Sequence, residues 1–478
     1  MTPEALDNHE VESYTNQSRR HAMGETLPLF QPSFNKALRV EARPERLSSD
    51  AGVILQREAL ERTGLIEWMT QRLQDPRDPL RVWHPLSTLL RDSLTMIGQG
   101  WDSQGDAEAL RDDPMLAACG SDRRGEQVIE RQLASQPTLS RLLDILADEQ
   151  NQAVLDEALL KLVEQRVRAR SQGARTRTMT IDIDGVPLQA HGQQPGSAFN
   201  GHTGQRQHDP LFALCAETGD LIGVLLRPGN AGPASQAAAW IPKLVEYLRT
   251  HVARQVRVRL DAGFADAATL AALDAHGIGY IARLPRNAAL ERRFEPHRYR
   301  RGRPAKRERE WTEAFAYQAG TWERPRRVVM VIRERPGELF RDAFYLVTNI
   351  QGSQRFVRRH YQQRGKAEAH FGEYKDVMGE SLPCTRRGRA TEAQAFARSQ
   401  ALLTLRALAY QLLHVLRDSL ERGTGDGWSL RRLREQVLKS AVRVQRHARR
   451  LYVILERRAA SHWRALLRRL PRVYPGPG

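Results

Sequence analysis

At Arg177 the spacing of apolar residues changes from three- and four-residue steps to alternation, and the segments beyond that point limit the folds open to this chain. Met179-Thr-Ile-Asp182-Ile-Asp184 alternates like a strand. Leu211–Cys215 and Leu221–Leu226 are two further apolar runs, and Glu217-Thr-Gly-Asp220 between them is the turn of a hairpin. Ser235–His251 is predicted helical with Ser235 as its N-cap. Val256–Leu260 reads as a short strand ending at Asp261, Asp266–His276 as a helix, and Ile278–Leu284 as a strand. The order is β-β-β-α-β-α-β, and a helix around Glu368 supplies a final α. The expected class is therefore α/β, with a mixed five-stranded sheet and helices.

The flanks differ in kind. Residues 1–50 are expected to be a flexible arm, since Pro, Ser, Asn and Gln are common and periodicity is weak. Residues 51–174 read as a helical domain, with helical spacing over Gly52–Leu73, Pro85–Met96, Glu126–Leu133 and Thr138–Arg166. The core is predicted to occupy 175–284 and 355–420. Residues 285–354 form an insertion, with a basic run at Arg286–Arg309 and strand-like segments at Arg327–Ile332 and Ala343–Thr348. Residues 421–478 read as a basic helical region. From Asp426 to Leu470 there are 13 Lys+Arg against 3 Asp+Glu, a net of +10 by 13 minus 3.

The whole chain of 478 residues carries a formal charge of +18. A balance this basic favours a polyanionic partner, either nucleic acid or an anionic membrane surface. Of the 74 cationic side chains only 7 are Lys and 67 are Arg, so arginine at one position says little by itself. Cys119, Cys215 and Cys384 are far apart and without CxxC spacing, which argues against a disulfide framework or a structural zinc and suits a reducing cytosol. No apolar run resembles a signal peptide, and none reaches the ~18 residues of a spanning helix. Ala401–Leu416 is the most apolar stretch, but Arg406 and His414 interrupt it, and it reads as a buried core helix.

Hydrolysing a phosphodiester near neutral pH needs an activated water and a stabilised leaving oxygen. Two divalent ions ~3.5–4 Å apart supply both. Magnesium takes hard oxygen ligands and keeps several waters, so a few converging carboxylates suffice. A chain with 56 acidic residues holds countless triples, so position must decide. Asp182 and Asp184 share one face of a strand, and Asp184 ends it just before Gly185. Either could be a ligand, or could merely cap the turn. Asp261 ends a buried strand and is followed by Ala-Gly263; ligand sites in open α/β sheets lie at such carboxyl ends. Its bland role is a helix cap, for which Asp266 is also available. Glu368 is the third candidate. Tyr361, Arg364, Glu368 and Lys375 stand at offsets of three, seven and fourteen, within an arc of about 60° on a continuous helix. One narrow face thus carries a carboxylate, two cations and a phenol. An ordinary Arg364–Glu368 surface pair is the alternative, which Gly365 and Gly372 weaken. His191, His202 and His208 share a loop, where histidines are seldom ligands, and no metal is assigned to them.

The Tyr-x2-Arg-x3-Glu-x6-Lys spacing resembles the glutamate-helix signature of a large branch of bacterial insertion-sequence transposases, the DDE transposases. The resemblance runs over roughly residues 50–460 and is strongest at Met179–Gly185, Arg257–Phe264 and Tyr361–Lys375. The β-β-β-α-β-α-β-α order is that of a ribonuclease H-like core, and the resembling enzymes carry a β-rich insertion where residues 285–354 stand here. In that family the first catalytic Asp precedes a small residue, which favours Asp184 and leaves Asp182 as a reserve ligand or a support behind it.

The resemblance implies that Asp184, Asp261 and Glu368 are the catalytic residues and hold two Mg²⁺ ions, with Mn²⁺ as a substitute. It also implies that Arg364 and Lys375 hold DNA phosphates while Tyr361 stacks or hydrogen-bonds nearby. The implied activity is cleavage at the terminal inverted repeats of an insertion sequence and joining of the 3′-hydroxyls to double-stranded target DNA. The enzyme would work as a homodimer on DNA, in the bacterial cytoplasm at the nucleoid, with no membrane partner. The helical domain at 51–174 is the expected reader of the ends. Tyr299-Arg-Arg-Gly-Arg-Pro304-Ala-Lys resembles the core of AT-hook peptides and is either a minor-groove insert or a basic loop touching phosphates. The basic C-terminal helices suit phosphate contact. Two rivals stand beside this reading: a domesticated, non-catalytic DNA-binding regulator, and a host ribonuclease H-like nuclease or recombinase.

Overall fold

A computed structural model describes residues 27–35, 37–43, 45–201, 203–300, 302, 306–385 and 388–476. The first 26 residues of the expected arm, His202, and Arg301, Arg303, Pro304 and Ala305 of the basic run lie outside the described residues.

The central sheet contains β1 (Thr176–Gly185), β2 (Leu211–Cys215), β3 (Leu221–Leu225), β4 (Ala253–Leu260), β5 (Gly279–Leu284), β6 (Arg309–Tyr317), β7 (Arg326–Glu334) and β8 (Asp342–Thr348). Their order is β6-β7-β8-β5-β4-β1-β2-β3. β1, β4 and β5 run parallel, while β2, β3 and β6–β8 add antiparallel pairings. The sheet is mixed, as expected, but has eight strands rather than five. The insertion continues the sheet past β5, whose unpaired N–H and C=O groups would otherwise form an open edge.

Each face of the sheet has its own cover. Ile181, Ile183, Val258, Leu260, Tyr280 and Ala282 point to one face, where they pack with α2 (Ala237–His251) and α3 (Ala267–Ala275). The opposite face is shared between two helices. α4 (Gln354–Gln362) lays Val357 over Ile281, Val329, Val331 and Leu346. α5 (Gly365–Met378) packs Phe371 and Tyr374 against Phe212, Leu214 and Val224, with the Phe212 and Tyr374 rings edge to face at 4.8 Å. The interval between α4 and α5 lies over β1 and β4.

One apolar core joins the N-terminal helices, α1 (Glu149–Arg170), α6 (Glu392–Thr424) and α7 (Arg457–Val473). α6 starts with a capping box between Thr391 and Gln394 and is buried almost all round from Ala401 to Leu416. No helix among the described residues is long and apolar enough to cross a membrane.

Several helices are shorter than periodicity predicts. Gly64 takes the left-handed region at φ +61° and ends Val53–Thr63 inside the expected Gly52–Leu73 helix. The Thr138–Arg166 stretch is two helices, Gln136–Leu146 and α1. Asp148 divides them by accepting hydrogen bonds from the N–H groups of Gln150 and Asn151 (3.0 and 3.3 Å). Glu126–Glu130 is a single 3₁₀ turn. α2 begins at Ala237, after Gln236, and Ser235 does not cap it.

The C-terminal region is not all helical. Val442–His447 and Arg450–Leu455 form a hairpin that pairs with Arg46–Ser48 from the expected arm. Its two-residue turn holds Ala448 and Arg449 at φ +49° and +61°, the pattern of a type I′ turn. The alternation of Val442 and Val444 with Arg443 and Gln445 carries this signal, which the basic composition hides. Replacing Asp148 by Ala removes the cap and should lower stability by about 1 kcal/mol. A urea midpoint unchanged from the parent would show that the break between the helices does not depend on this side chain.

Candidate active site

The parallel register of β1 and β4 sets Arg259 beside Asp182 and Leu260 beside Ile183. One step further it brings Asp261 beside Asp184, on strands ~4.8 Å apart. β5 extends the row. Ala282 pairs with Leu260, so Arg283 comes next beside Asp261. Because side chains alternate along a strand, Asp184, Asp261 and Arg283 share one face, at the carboxyl ends of three parallel strands.

A buried pair supports this row from below. The Arg259 guanidinium donates to both Asp182 oxygens, Nε to Oδ1 at 2.7 Å and Nη2 to Oδ2 at 2.6 Å. Both side chains are fully buried. Nη1 donates to the carbonyl of His360 at 2.7 Å, which ties the last turn of α4 to the sheet. His360 stacks on Phe356 at 5.3 Å. Burial, then the Arg259 and Arg257 charges, push its pKa down to about 4, so the ring is neutral near pH 7. Asp182 is thus linked, through Arg259, to the helix that leads to Arg364.

The chain breaks its helix between Gln362 and Gly365. The N–H groups of Arg364, Lys366 and Ala367 donate to carbonyls three residues back, at 2.8, 3.1 and 2.8 Å. The continuous helix predicted to carry Tyr361, Arg364, Glu368 and Lys375 is therefore interrupted by a tightened turn, in which Gln363 and Arg364 keep helical backbone angles. Each half buries its own apolar residues, Val357 on one side of the interval and Phe371 with Tyr374 on the other. Gly365, with no Cβ, offers little resistance to the break. At this junction Arg364 reaches down, and its Nη2 donates to Asp184 Oδ2 at 2.6 Å. Tyr361 is half-buried against the Ile281–Val357 cluster. Glu368 stands one helical turn beyond Arg364 and is exposed, while Lys375 is half-buried in the last turn of α5.

Asp261 Oδ1 accepts the Gly263 N–H at 2.7 Å and caps the turn Ala262–Phe264. Asp266 caps α3 through Thr269, as expected. A Cβ at Gly263 would stand 2.6 Å from the Pro233 side chain, so glycine is needed for this approach. Burial raises the Asp184 carboxyl above its ordinary range; Arg364 opposes this and the neighbouring Asp261 charge adds to it. Burial also raises the Tyr361 phenol, against the Arg364 and Arg283 charges.

The donor set suits a hard divalent cation in part. Asp184 and Asp261 are adjacent carboxylates, and the Asp261 charge raises the cost of ionising Asp184. Among the described residues no three His, Cys, Asp or Glu side chains are gathered as a metal site. Glu368 is thus not gathered with Asp184 and Asp261 into a three-acid site. His208 is buried, with its Nε2 at 3.0 Å from the Pro195 carbonyl, and His191 is exposed.

Two residues escaped the sequence reading. Arg259 carried a signal: it precedes Asp261 by two, as Asp182 precedes Asp184, so opposite charges occupy matching places on neighbouring strands. Arg283 carried only its place near the end of the last parallel strand.

Residues 30–473 match the family described as transposase DDE domain group 1. No curated protein matches the sequence. Among solved structures, the cryo-EM piggyBac transposase synaptic complex with hairpin DNA aligns at 9% identity and a TM-score of 0.38. That alignment covers 88% of this chain and 81% of that one.

Replacing Asp182 by Ala strands the buried Arg259 charge and should cost about 3–5 kcal/mol of stability. Replacing both partners by apolar residues of similar volume should restore most of it. Equal losses in the single and double variants, by thermal or denaturant unfolding, would contradict the pairing.

Proposed function

Because this chain belongs to the DDE transposase family, domain group 1, we propose that it cuts the ends of its own DNA element and joins the freed 3′-hydroxyls to target DNA. One observation carries the reading beyond the family. Asp184 and Asp261 stand side by side at parallel strand ends, and Arg364 descends on Asp184 from the helix junction. The strand order β3-β2-β1-β4-β5 supports a ribonuclease H-like core.

Asp184 and Asp261, joined by Glu368, are the residues that hold divalent metal. Magnesium, or manganese in its place, supplies when bound an ionised water and a counter-charge for the leaving oxygen. The chain needs no strong base of its own. Its part is to place DNA and to present the carboxylates. On DNA binding, the Arg364 guanidinium exchanges its carboxylate for a phosphate, which it can grip with two parallel hydrogen bonds. That exchange releases Asp184. Arg283 adds a second cation beside the acid row, and Lys375 a third along α5. The Tyr361 ring closes the site on its apolar side and offers a face for stacking. Two element ends have to be held together, so the working form is a homodimer on DNA.

Asp184→Asn, Asp261→Asn and Glu368→Gln should each abolish Mg²⁺-dependent nicking of an end-bearing duplex while leaving duplex binding within a few-fold of the parent. Tight binding by the parent with no cutting in Mg²⁺ or Mn²⁺ would instead favour a DNA-binding regulator. Inverted repeats bracketing the gene are the matching genetic observation.

The pH profile has a defined sign. A raised Asp184 pKa keeps the carboxyl protonated to higher pH, and protonated it cannot bind metal. At subsaturating metal, the acid limb of the nicking rate should therefore lie above the ordinary Asp value of about 3.9. In the free chain Arg364→Ala removes a charge that lowers this pKa, so the limb in kcat/KM, which reports the free enzyme, should move to higher pH. A limb that stays put or moves down would contradict this.

A further inference from the structure

We infer that a second groove, remote from the acid row, holds the DNA duplex by its phosphate backbone without reading sequence. It lies between α7, the end of α6 and the N-terminal helices. Two open clefts of about 740 and 500 Å³ share Arg472 on their walls. The smaller is lined by Gly423 of α6 and by Arg464, Arg468 and Arg469 of α7; the larger by Trp68, Lys161 and Gln172 among others.

Three observations point to phosphates. First, α7 buries Trp463, Leu466 and Leu470, while Arg464, Arg468 and Arg472 project within an arc of about 80° on the outer side. Second, among the described residues none of these three arginines, nor Arg469 or Lys161, enters an ion pair. The contrast with the rest of the molecule is sharp, since two other arginines on the same wall are each paired with a glutamate four residues away. Third, the groove walls carry a single acid, Glu67. Unpaired guanidinium groups this close together repel one another. The arrangement suits an occupant with a row of negative charges at a similar spacing.

The occupant is a duplex rather than an isolated anion. From Arg457 to Arg472 the outer face of α7 extends for about 22 Å. One DNA strand offers a phosphate every ~3.4 Å of helix axis, so this face spans about six base pairs. Between Arg464 and Arg472 the outer face of α7 alternates cations with apolar residues, while the larger cleft adds the carboxamides of Gln71, Gln165 and Gln172. Contacts from the row of cations to phosphates fix the duplex in place and carry no base sequence.

Its position separates it from the cutting site. Gln172 and Gly173 line it just before β1 begins at Thr176, at the amino ends of the parallel strands. Asp184 stands at the other end of β1, about 26 Å away along the strand. Only the choice of DNA as occupant rests on the function proposed above.

The test is the salt dependence of duplex binding by the full chain, with R464A/R468A/R472A against the parent and against R464K/R468K/R472K. The alanine variant should lose about three of the released counter-ions, a fall in slope of ~0.9 each, equally for end-bearing and unrelated duplexes. The lysine variant should keep the parent slope, since it keeps the charges. As a second measurement on the unaltered chain, bound duplex should protect Arg464–Arg472 from phenylglyoxal. An unchanged slope together with unprotected arginines overturns the inference, as does a loss confined to end-bearing DNA. Nicking at low salt separates the two proposals. The alanine variant still cuts if both hold, whereas a parent that shows the arginine-dependent slope but never cuts leaves the groove standing and removes the transposase reading.

Discussion

A carboxylate and a guanidinium lie side by side out of water, Asp182 on β1 and Arg259 on β4, and the candidate site is built on that contact. Each charge is tolerable only because the other meets it with two hydrogen bonds, and because the third arm of Arg259 finds the His360 carbonyl. A slip of one residue between these strands would leave Asp182 against Val258 or Leu260, with both charges unpaired. The pair therefore specifies register. The same register sets Asp184 beside Asp261 one step higher. Through His360 it also fixes where α4 ends, and hence where Arg364 descends.

The helix break above the acids arises from how the sheet face is covered. Apolar residues of β5, β7 and β8 call for one cover, and those of β2 and β3 for another. A single straight helix cannot serve both. Splitting it leaves β1 and β4 uncovered at their carboxyl ends, where polar side chains remain accessible. The open spot and the charged residues that fill it thus have one cause.

Net charge also takes on meaning only in place. Many arginines are tied to acids within the fold: Arg166 to Asp220 and Arg227 to Asp209 in the interior, Arg417 to Glu373 between helices. These stabilise the native packing and add nothing to the field outside. The six arginines of α7 enter no ion pair among the described residues, and all six are exposed. Basic surface is consequently present at both ends of the parallel strands, beside the acids and behind them.

Local pattern did not reveal the small sheet of Leu188–Gln189, Ala198–Asn200 and Gln205–His208, which the sequence reads as a loop. It was enough to read β1–β5, the hairpin turn at Glu217–Asp220, the Asp266 cap and the buried helix at Ala401–Leu416. Each of these is set by neighbours within a few residues. Candidate acids at strand ends were legible for the same reason, as was the Tyr361–Lys375 spacing. What the spacing could not show is the break at Gln363–Arg364, because α4 and α5 bury their apolar residues against different strands. The C-terminal hairpin was missed because its partner, Arg46–Ser48, lies almost four hundred positions away. Arg283 and the role of Arg259 were hidden likewise, since a pairing register is a relation between distant segments. The amino-acid order alone determined which residues could carry charge at strand ends; the packed chain decided which of them meet, because only burial makes an unpaired charge costly enough to choose its partner.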